Sequence, residues 1–300
     1  MIPTAIPVRL SPESPPPLGI AHFTTIDVEP LDLVEMAARI GYASVGLRLH
    51  PAFPGAPFYK IPVGTELMRS MRARLADTGI SIYDIEFVTI DAAFEPSRLK
   101  PMMESAAELG AKRVSLCGDD PDRARLVDKF AELCDLAAGF GIGVDIEIMA
   151  WREVSTLQAA AQVVREAGRS NAGILIDALH LSRSGGDPAD LRMVDRNLIR
   201  SAQLCDAPAA RPATTEAIIQ EARGGRLLPG EGALPLHRLL AELPDHAALS
   251  VEVPNTGHPP EDHARRVYGA ARRSLASYAA RESAWPETAV SERKLPNRQS

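Results

Sequence analysis

The feature that most limits the fold is a regular alternation of short strand-like runs with longer segments of helical apolar spacing. Segments such as LDLVEMAARI and STLQAAAQVVREAG are typical of amphipathic helices, and several end at a glycine, which favours a helix C-terminus. Alternation at this rate predicts parallel βα units. The strand candidates are residues 19–25, 42–49, 81–90, 111–117, 143–149, 173–179, 198–205 and 247–254.

Eight βα units in 300 residues predict an α/β fold, a single-domain (β/α)8 TIM barrel with eight parallel strands. A doubly wound open sheet is the competing topology, but it normally needs fewer strands, and the first strand lacks the glycine-rich dinucleotide fingerprint. We expect a disordered proline-rich leader (1–18), the barrel (19–282) and a polar tail (283–300). The long connection at 206–233 should lie on the C-terminal face, where barrels carry active sites.

Charge and cysteine usage narrow the class of protein. The formal net charge is −6, with basic residues spread along the chain, so neither a nucleic-acid nor a membrane partner is expected. No apolar stretch is long enough to cross a bilayer. Cys117, Cys134 and Cys205 lack metal-type or redox spacing and predict reduced core thiols in a cytoplasmic protein. The charge favours a small neutral or anionic metabolite as the partner, and whether the chain forms a homo-oligomer stays open.

Polar side chains alternate with apolar ones along the late strands. Glu147, Asp177, Gln203 and Glu252 come from strands five to eight, neighbours around a barrel, on the face opposite the apolar residues. Buried carboxylates side by side are costly unless a positive charge compensates them. Three carboxylates and one amide oxygen leave room for two substrate oxygens in an octahedral shell, which suits Mn²⁺, Mg²⁺ or Co²⁺.

The early strands offer further candidates for substrate binding. The same alternation aims His22, His50 and Glu86 at the barrel mouth, where each could contact a ligand or make a core hydrogen bond. Trp151 could stack on a sugar face or pack the rim. Both interpretations stay open for each of these residues.

The late motifs resemble the sugar phosphate isomerase/epimerase superfamily of xylose isomerase-like TIM barrels, over roughly the second half of the chain. The segments that carry the resemblance are VDIEIMAW, GILIDALHLSRSGGDP, IRSAQLCDAP, RLLPGEGALPL and LSVEVPN. The resemblance implies a divalent metal held by Glu147, Asp177, Gln203 and Glu252, with Mn²⁺ expected and Mg²⁺, Co²⁺ or Zn²⁺ as alternatives. It also implies that His180 contacts the substrate, and that Glu147 and Glu252 exchange protons with a carbon of the substrate.

The implied function is a metal-dependent keto-polyol isomerase or epimerase that works through a metal-bound enediolate. Gln203 stands where many epimerases have histidine, and with Arg226 ahead of PGEG it resembles bacterial 3-dehydroshikimate dehydratases. Ala222 departs from them, because they have a serine at that position. A 3-dehydroshikimate or inosose dehydratase is therefore the alternative, and a non-catalytic sugar-binding barrel is a further one. Arg226 is expected either to bind an anionic substrate or to brace the loop.

Overall fold

The computed structural model describes residues 16–284, and within them eight parallel strands close into the predicted single-domain barrel. Each strand pairs with its neighbours in chain order, and β1 pairs with β8 to close the cylinder. The strands are β1 Leu18–Ile20, β2 Ser44–Arg48, β3 Ser81–Ile90, β4 Arg113–Gly118, β5 Gly143–Glu147, β6 Ala172–Asp177, β7 Ile199–Leu204 and β8 Ala248–Val251.

Helices follow the strands and form the outer layer. Their first turns are fixed by side-chain caps such as Asp122, Thr156 and Thr214, each of which accepts a hydrogen bond from a backbone amide of the first turn. The helices are α1 Pro30–Ile40, α2 Glu66–Thr78, α3 Lys100–Glu108, α4 Arg123–Ala138, α5 Leu157–Ala167, α6 Ala178–Arg183, α7 Thr215–Gln220, α8 Leu236–Glu242 and α9 Pro260–Ala284.

The alternation along β5 shows how the barrel sorts its side chains. Val144 and Ile146 are fully buried on the apolar face, which packs against the helices. Asp145 and Glu147 occupy the other face, inside the barrel. Asp145 accepts two hydrogen bonds from Arg113, and this buried ion pair lies in the N-terminal half of the barrel interior. On β5, therefore, Glu147 is the inward carboxylate that has no arginine partner within the described chain.

Most of the predicted strands end earlier than the sequence pattern suggested, and two of them show the reason. The first gives way to a 3-10 turn at His22–Thr25, because the Glu86 carboxylate accepts hydrogen bonds from the backbone amides of His22 (2.7 Å) and Phe23 (3.2 Å). The sixth ends at Asp177, whose side chain accepts a hydrogen bond from the His180 backbone amide at 2.8 Å and so caps the start of α6. In both cases a carboxylate binds backbone amides that would otherwise continue a strand.

The long connection after β7 is ordered by one buried carboxylate. Asp206 accepts hydrogen bonds from the backbone amides of Ala207 (2.9 Å), Leu234 (2.9 Å) and Gly230 (3.0 Å). It also forms a two-way backbone bridge with Leu227. The loop is therefore a fixed part of the C-terminal face, as its position predicts.

The predicted leader and tail fall mostly outside the described residues, which leave out 1–15 and 285–300. Within the described part, β1 begins at Leu18 and α9 continues to Ala284. None of the described helices combines the length and apolar character needed to span a membrane.

Candidate active site

The four residues predicted as metal ligands are all buried at the C-terminal mouth of the barrel. Glu147, Asp177 and Gln203 lie at or near the C-terminal ends of β5, β6 and β7, and Glu252 directly follows β8. Asp177 and Gln203 are direct register partners across two strands. The barrel thus places at its C-terminal mouth the residues that the strand alternation and the family resemblance had both selected, and their role as ligands stays a prediction.

His180 joins this cluster more closely than the sequence indicates. One ligand atom each from Glu147, Asp177 and His180 lies within 4.8 Å of the other two. The distance from His180 Nε2 to Glu147 Oε1 is 3.9 Å. Because Asp177 caps α6 and His180 lies in its first turn, one local structure fixes both side chains.

Arg226 inserts its guanidinium between two of the carboxylates. Its Nη1 donates to Asp177 Oδ2 at 2.5 Å, and its Nη2 lies 2.7 Å from Glu252 Oε2. Nη2 also lies 3.3 Å from His180 Nε2. Arg226 therefore lies at the site, where its positive charge faces the carboxylates, and both roles expected for it stay predictions.

Burial dominates the electrostatics of the two glutamates. Desolvation, and then the charges of Glu252 and Asp177, raise the pKa of Glu147 well above its ordinary value. Desolvation also raises the pKa of Glu252 to about 7, although Arg226 acts in the opposite direction. Two carboxyl groups that resist ionisation in one cavity are suited to exchanging protons near neutral pH.

The pKa values of Asp177 and His180 are lowered instead. Burial alone would raise the pKa of Asp177, but the charge of Arg226, the proximity of His180 and their hydrogen bonds lower it. The pKa of His180 falls to about 4, because burial disfavours the imidazolium and Arg226 repels it. Asp177 is therefore an anion and His180 a neutral imidazole at neutral pH.

The donor set fits a divalent cation. Among residues 16–284, Glu147 Oε1 and Gln203 Oε1 are buried without a hydrogen-bond partner. An unpaired buried oxygen is costly, and a metal ion satisfies it. When ionised, Glu147, Asp177 and Glu252 carry three negative charges against the single positive charge of Arg226, which leaves a balance of −2.

A second buried cluster lies beside the first. Arg48 Nη2 lies 3.4 Å from Glu86 Oε2, and the guanidinium lies over the rings of Phe23 and Phe87. His22 is held by backbone groups on both sides: Nδ1 accepts from the Arg48 amide at 3.0 Å, and Nε2 donates to the Val28 carbonyl at 2.9 Å. Substrate contacts from Glu86 and His22 remain predictions.

The pH dependence of stability gives a test of the His22 arrangement. Burial lowers its pKa to about 4 from an ordinary 6.5, so the unfolded chain binds the proton more tightly. Stability from His22 is therefore complete above pH 6.5 and is lost as the pH falls toward 4. We expect the unfolding free-energy difference between wild type and His22→Gln to shrink by about 2 kcal/mol from pH 7.5 to 5.0 in urea titrations. A difference that stays constant over this range would contradict a neutral, buried His22.

The two remaining predicted residues lie at the margin of the site. Trp151 is half-buried, and its ring meets His180 edge-on at a centroid distance of 5.2 Å. His50 is half-buried, and within the described chain its side chain has no hydrogen bond or ion pair to the carboxylates. Their roles in substrate binding stay predictions.

Arg48 also lies at the mouth, and the sequence analysis did not select it as a site residue. It pairs with Glu86, while Glu252 pairs with Arg226. The available signal was its position on the inward-facing side of β2, two residues before His50.

Known proteins with similar sequences include a dehydratase and an isomerase. The 3-dehydroshikimate dehydratase of Pseudomonas aeruginosa is 28% identical over 205 residues, which cover 63% of this chain and 32% of that protein. The chain thus matches about a third of the length of that relative. The inosose isomerase of Bacillus velezensis is 26% identical over 170 residues, 52% of this chain and 59% of that protein.

Solved structures show the same fold. The crystal structure of the IOLI protein with a bound zinc atom has a TM-score of 0.72 and 19% identity, and the match covers 87% of this chain and 99% of that one. The model of the family described as xylose isomerase-like TIM barrel matches residues 34–277, well beyond the second half in which the motifs lie. The chain therefore belongs to the xylose isomerase-like TIM barrel family.

Proposed function

We propose that the chain is a divalent-metal-dependent isomerase or epimerase that moves a proton next to the carbonyl group of a small keto-polyol. The observation that carries this proposal is the buried cluster of Glu147, Asp177 and His180 at the C-terminal mouth, with Glu252 joined to Asp177 through Arg226. Among residues 16–284, one oxygen of Glu147 and the amide oxygen of Gln203 are buried there without a hydrogen-bond partner. Family membership supports the proposal, as do relatives named for 3-dehydroshikimate and inosose.

The metal would be held by Glu147, Asp177, Gln203 and Glu252. Because all four donors are oxygens, Mn²⁺ is the expected ion and Mg²⁺ or Co²⁺ are alternatives, while the zinc in a structural neighbour keeps Zn²⁺ in consideration. When bound, such an ion acts as a Lewis acid that makes a C–H bond next to a carbonyl group more acidic.

The chain's own residues then divide the proton transfer. Glu147 has an unpartnered Oε1 within the described chain and can accept the proton from the substrate carbon. Glu252 directly follows β8, three strands around the barrel from Glu147 on β5, and can deliver a proton from a different direction. His180 and Arg226 can orient substrate oxygens. Return of the proton to the opposite face of the same carbon gives an epimer, and return to the neighbouring carbon gives an aldose.

Dehydration is the second candidate function. The same proton abstraction gives a dehydrated product if a β-hydroxyl leaves before a proton returns. Arg226 favours this candidate, because its buried guanidinium at the ligand carboxylates is suited to an anionic substrate. The 28% identity with a 3-dehydroshikimate dehydratase also supports it.

A cytoplasmic location is part of the proposal. Cys117, Cys134 and Cys205 are all buried free thiols in the structure. Unpaired thiols are typical of proteins from reducing compartments.

The direct test is metal-dependent proton exchange. Purified protein would be incubated in D₂O with ketoses, inososes or 3-dehydroshikimate and with Mn²⁺, Mg²⁺, Co²⁺ or Zn²⁺. We expect deuterium at the carbon next to the carbonyl group, measured by NMR, and its loss after EDTA treatment. Epimer or aldose formation favours the first candidate, and a dehydrated product the second. No exchange and no product with any substrate and metal would contradict both and favour a non-catalytic barrel.

A further inference from the structure

The segment that delivers Arg226 to the site has an unusual local structure. Helix α7 begins at the Thr214 cap and passes into a π-helical turn at Glu221–Gly225, directly before Arg226. Such wide turns are rare and often lie at functional sites. Because the turn sets where Arg226 leaves the helix, whatever holds the turn also sets the position of the guanidinium.

A buried arginine on α6 holds that turn. Arg183 is 1% exposed, and its Nε and Nη2 donate to the two carboxylate oxygens of Glu221 at 2.7 and 2.8 Å. The same Nη2 donates to the Pro208 carbonyl at 2.7 Å. Arg183 therefore ties both the start of the long loop and the π-helical turn to α6.

The π-helical turn also fixes the position of the Arg226 guanidinium. The carbonyl of Ala222, next to Glu221, accepts a hydrogen bond from Arg226 Nε at 3.0 Å. With Nε anchored there, the terminal nitrogens face Asp177, Glu252 and His180. His180 lies one turn before Arg183 on α6, so one short helix carries both a site residue and the residue that holds the opposite loop.

Stability alone does not account for this pair. A buried ion pair gains little over well-packed apolar side chains, because the desolvation of both charges offsets their attraction. What a bidentate arginine–carboxylate pair provides is a defined orientation. That orientation is passed on to Arg226 through a single peptide unit.

We propose that Arg183 and Glu221 are a positioning pair that holds Arg226 at the ligand carboxylates and thereby sets the affinity for the substrate group facing its guanidinium. The expected effect on substrate affinity rests on the proposed function. The expected effect on the position of Arg226 does not. Neither residue touches the carboxylates of the site directly, and both act through Arg226.

The first test is a double-mutant cycle with 3-dehydroshikimate and Mn²⁺. Glu221→Gln should raise KM about tenfold with a smaller change in kcat, because even small misplacements of a binding group are costly. In an Arg226→Met background the same substitution should change KM less than about twofold, since the group through which it acts is gone. Arg183→Lys, which keeps the charge but not the two-bond geometry, is a milder variant in case Glu221→Gln does not fold.

The matched control is Asp145→Asn, which breaks the buried arginine–carboxylate pair in the N-terminal half of the barrel. It should lower stability while leaving KM unchanged. If Glu221→Gln behaves like this control, or raises KM equally in the wild-type and Arg226→Met backgrounds, the pair is merely structural and the inference is overturned.

The second test needs no turnover. The Arg226 Nε–H group, bonded to Ala222, should give a protected NMR cross-peak that is identified by its absence in Arg226→Lys. Glu221→Gln should accelerate its exchange with solvent at least about tenfold, and Asp145→Asn should not. Unchanged exchange in Glu221→Gln overturns the inference even if the enzyme is active. If no substrate is turned over, the proposed function fails, and this cross-peak still decides the positioning role.

Discussion

Glu147→Gln is expected to lower kcat/KM by about 1000-fold or more and to weaken Mn²⁺ binding at least about tenfold. Glutamine keeps the shape of the side chain and one oxygen, but it removes both the negative charge and the proton acceptor. The effect should be large because Glu147 Oε1 has no hydrogen-bond partner among the described residues. This oxygen is therefore free to bind the metal and to accept the proton, and the variant loses both functions. Turnover and isothermal titration with MnCl₂ measure the two losses separately.

Glu252→Gln should give a loss of similar size through the second proton-transfer group. Asp145→Asn is the matched control for Glu147→Gln, since both carboxylates are buried on the inward face of β5 but Asp145 pairs with Arg113. The control should lose stability and keep its metal stoichiometry. Turnover with full metal occupancy in either glutamine variant would remove the basis for the proposed chemistry.

The alternation of strands with helices predicted the barrel, because successive βα units place parallel strands side by side. The third strand, residues 81–90, was predicted with the bounds that β3 shows. The first strand was predicted too long. Its end depends on the Glu86 carboxylate, which accepts a hydrogen bond from the backbone amide of His22, 64 residues away in sequence. Strand periodicity carries no information about such a long-range contact.

The same distinction holds at the site. Glu147, Asp177, Gln203 and Glu252 could be selected because they lie on regular strands or directly after one, where alternation fixes the side on which each side chain lies. The contacts of Arg226 could not be predicted from the sequence. They depend on the path of an irregular loop and on the hydrogen bonds by which Arg183 and Asp206 anchor that loop. Loop conformation is set by individual hydrogen bonds and has no period from which to predict it.

Arg226→Met is expected to lower the unfolding free energy of the metal-free protein by about 3–5 kcal/mol. In wild type the guanidinium is buried between Asp177 and Glu252, and both carboxylates depend on it for a positive partner. Methionine fills a similar volume but leaves two adjacent buried carboxylates uncompensated. Urea denaturation in EDTA measures the loss, and KM for an anionic substrate should rise in the same variant.

Adding Mn²⁺ should recover much of that stability, because the ion supplies positive charge to the same carboxylates and binds only the folded state. Arg113→Met is the matched control: it also breaks a buried ion pair, but one in the N-terminal half of the barrel, so Mn²⁺ should not restore its stability selectively. Selective rescue of Arg226→Met would show that the guanidinium and the metal act on one set of carboxylates. An equal loss in EDTA and in Mn²⁺ would mean that the metal binds elsewhere, and the assignment of Glu147, Asp177, Gln203 and Glu252 as its ligands would have to be abandoned.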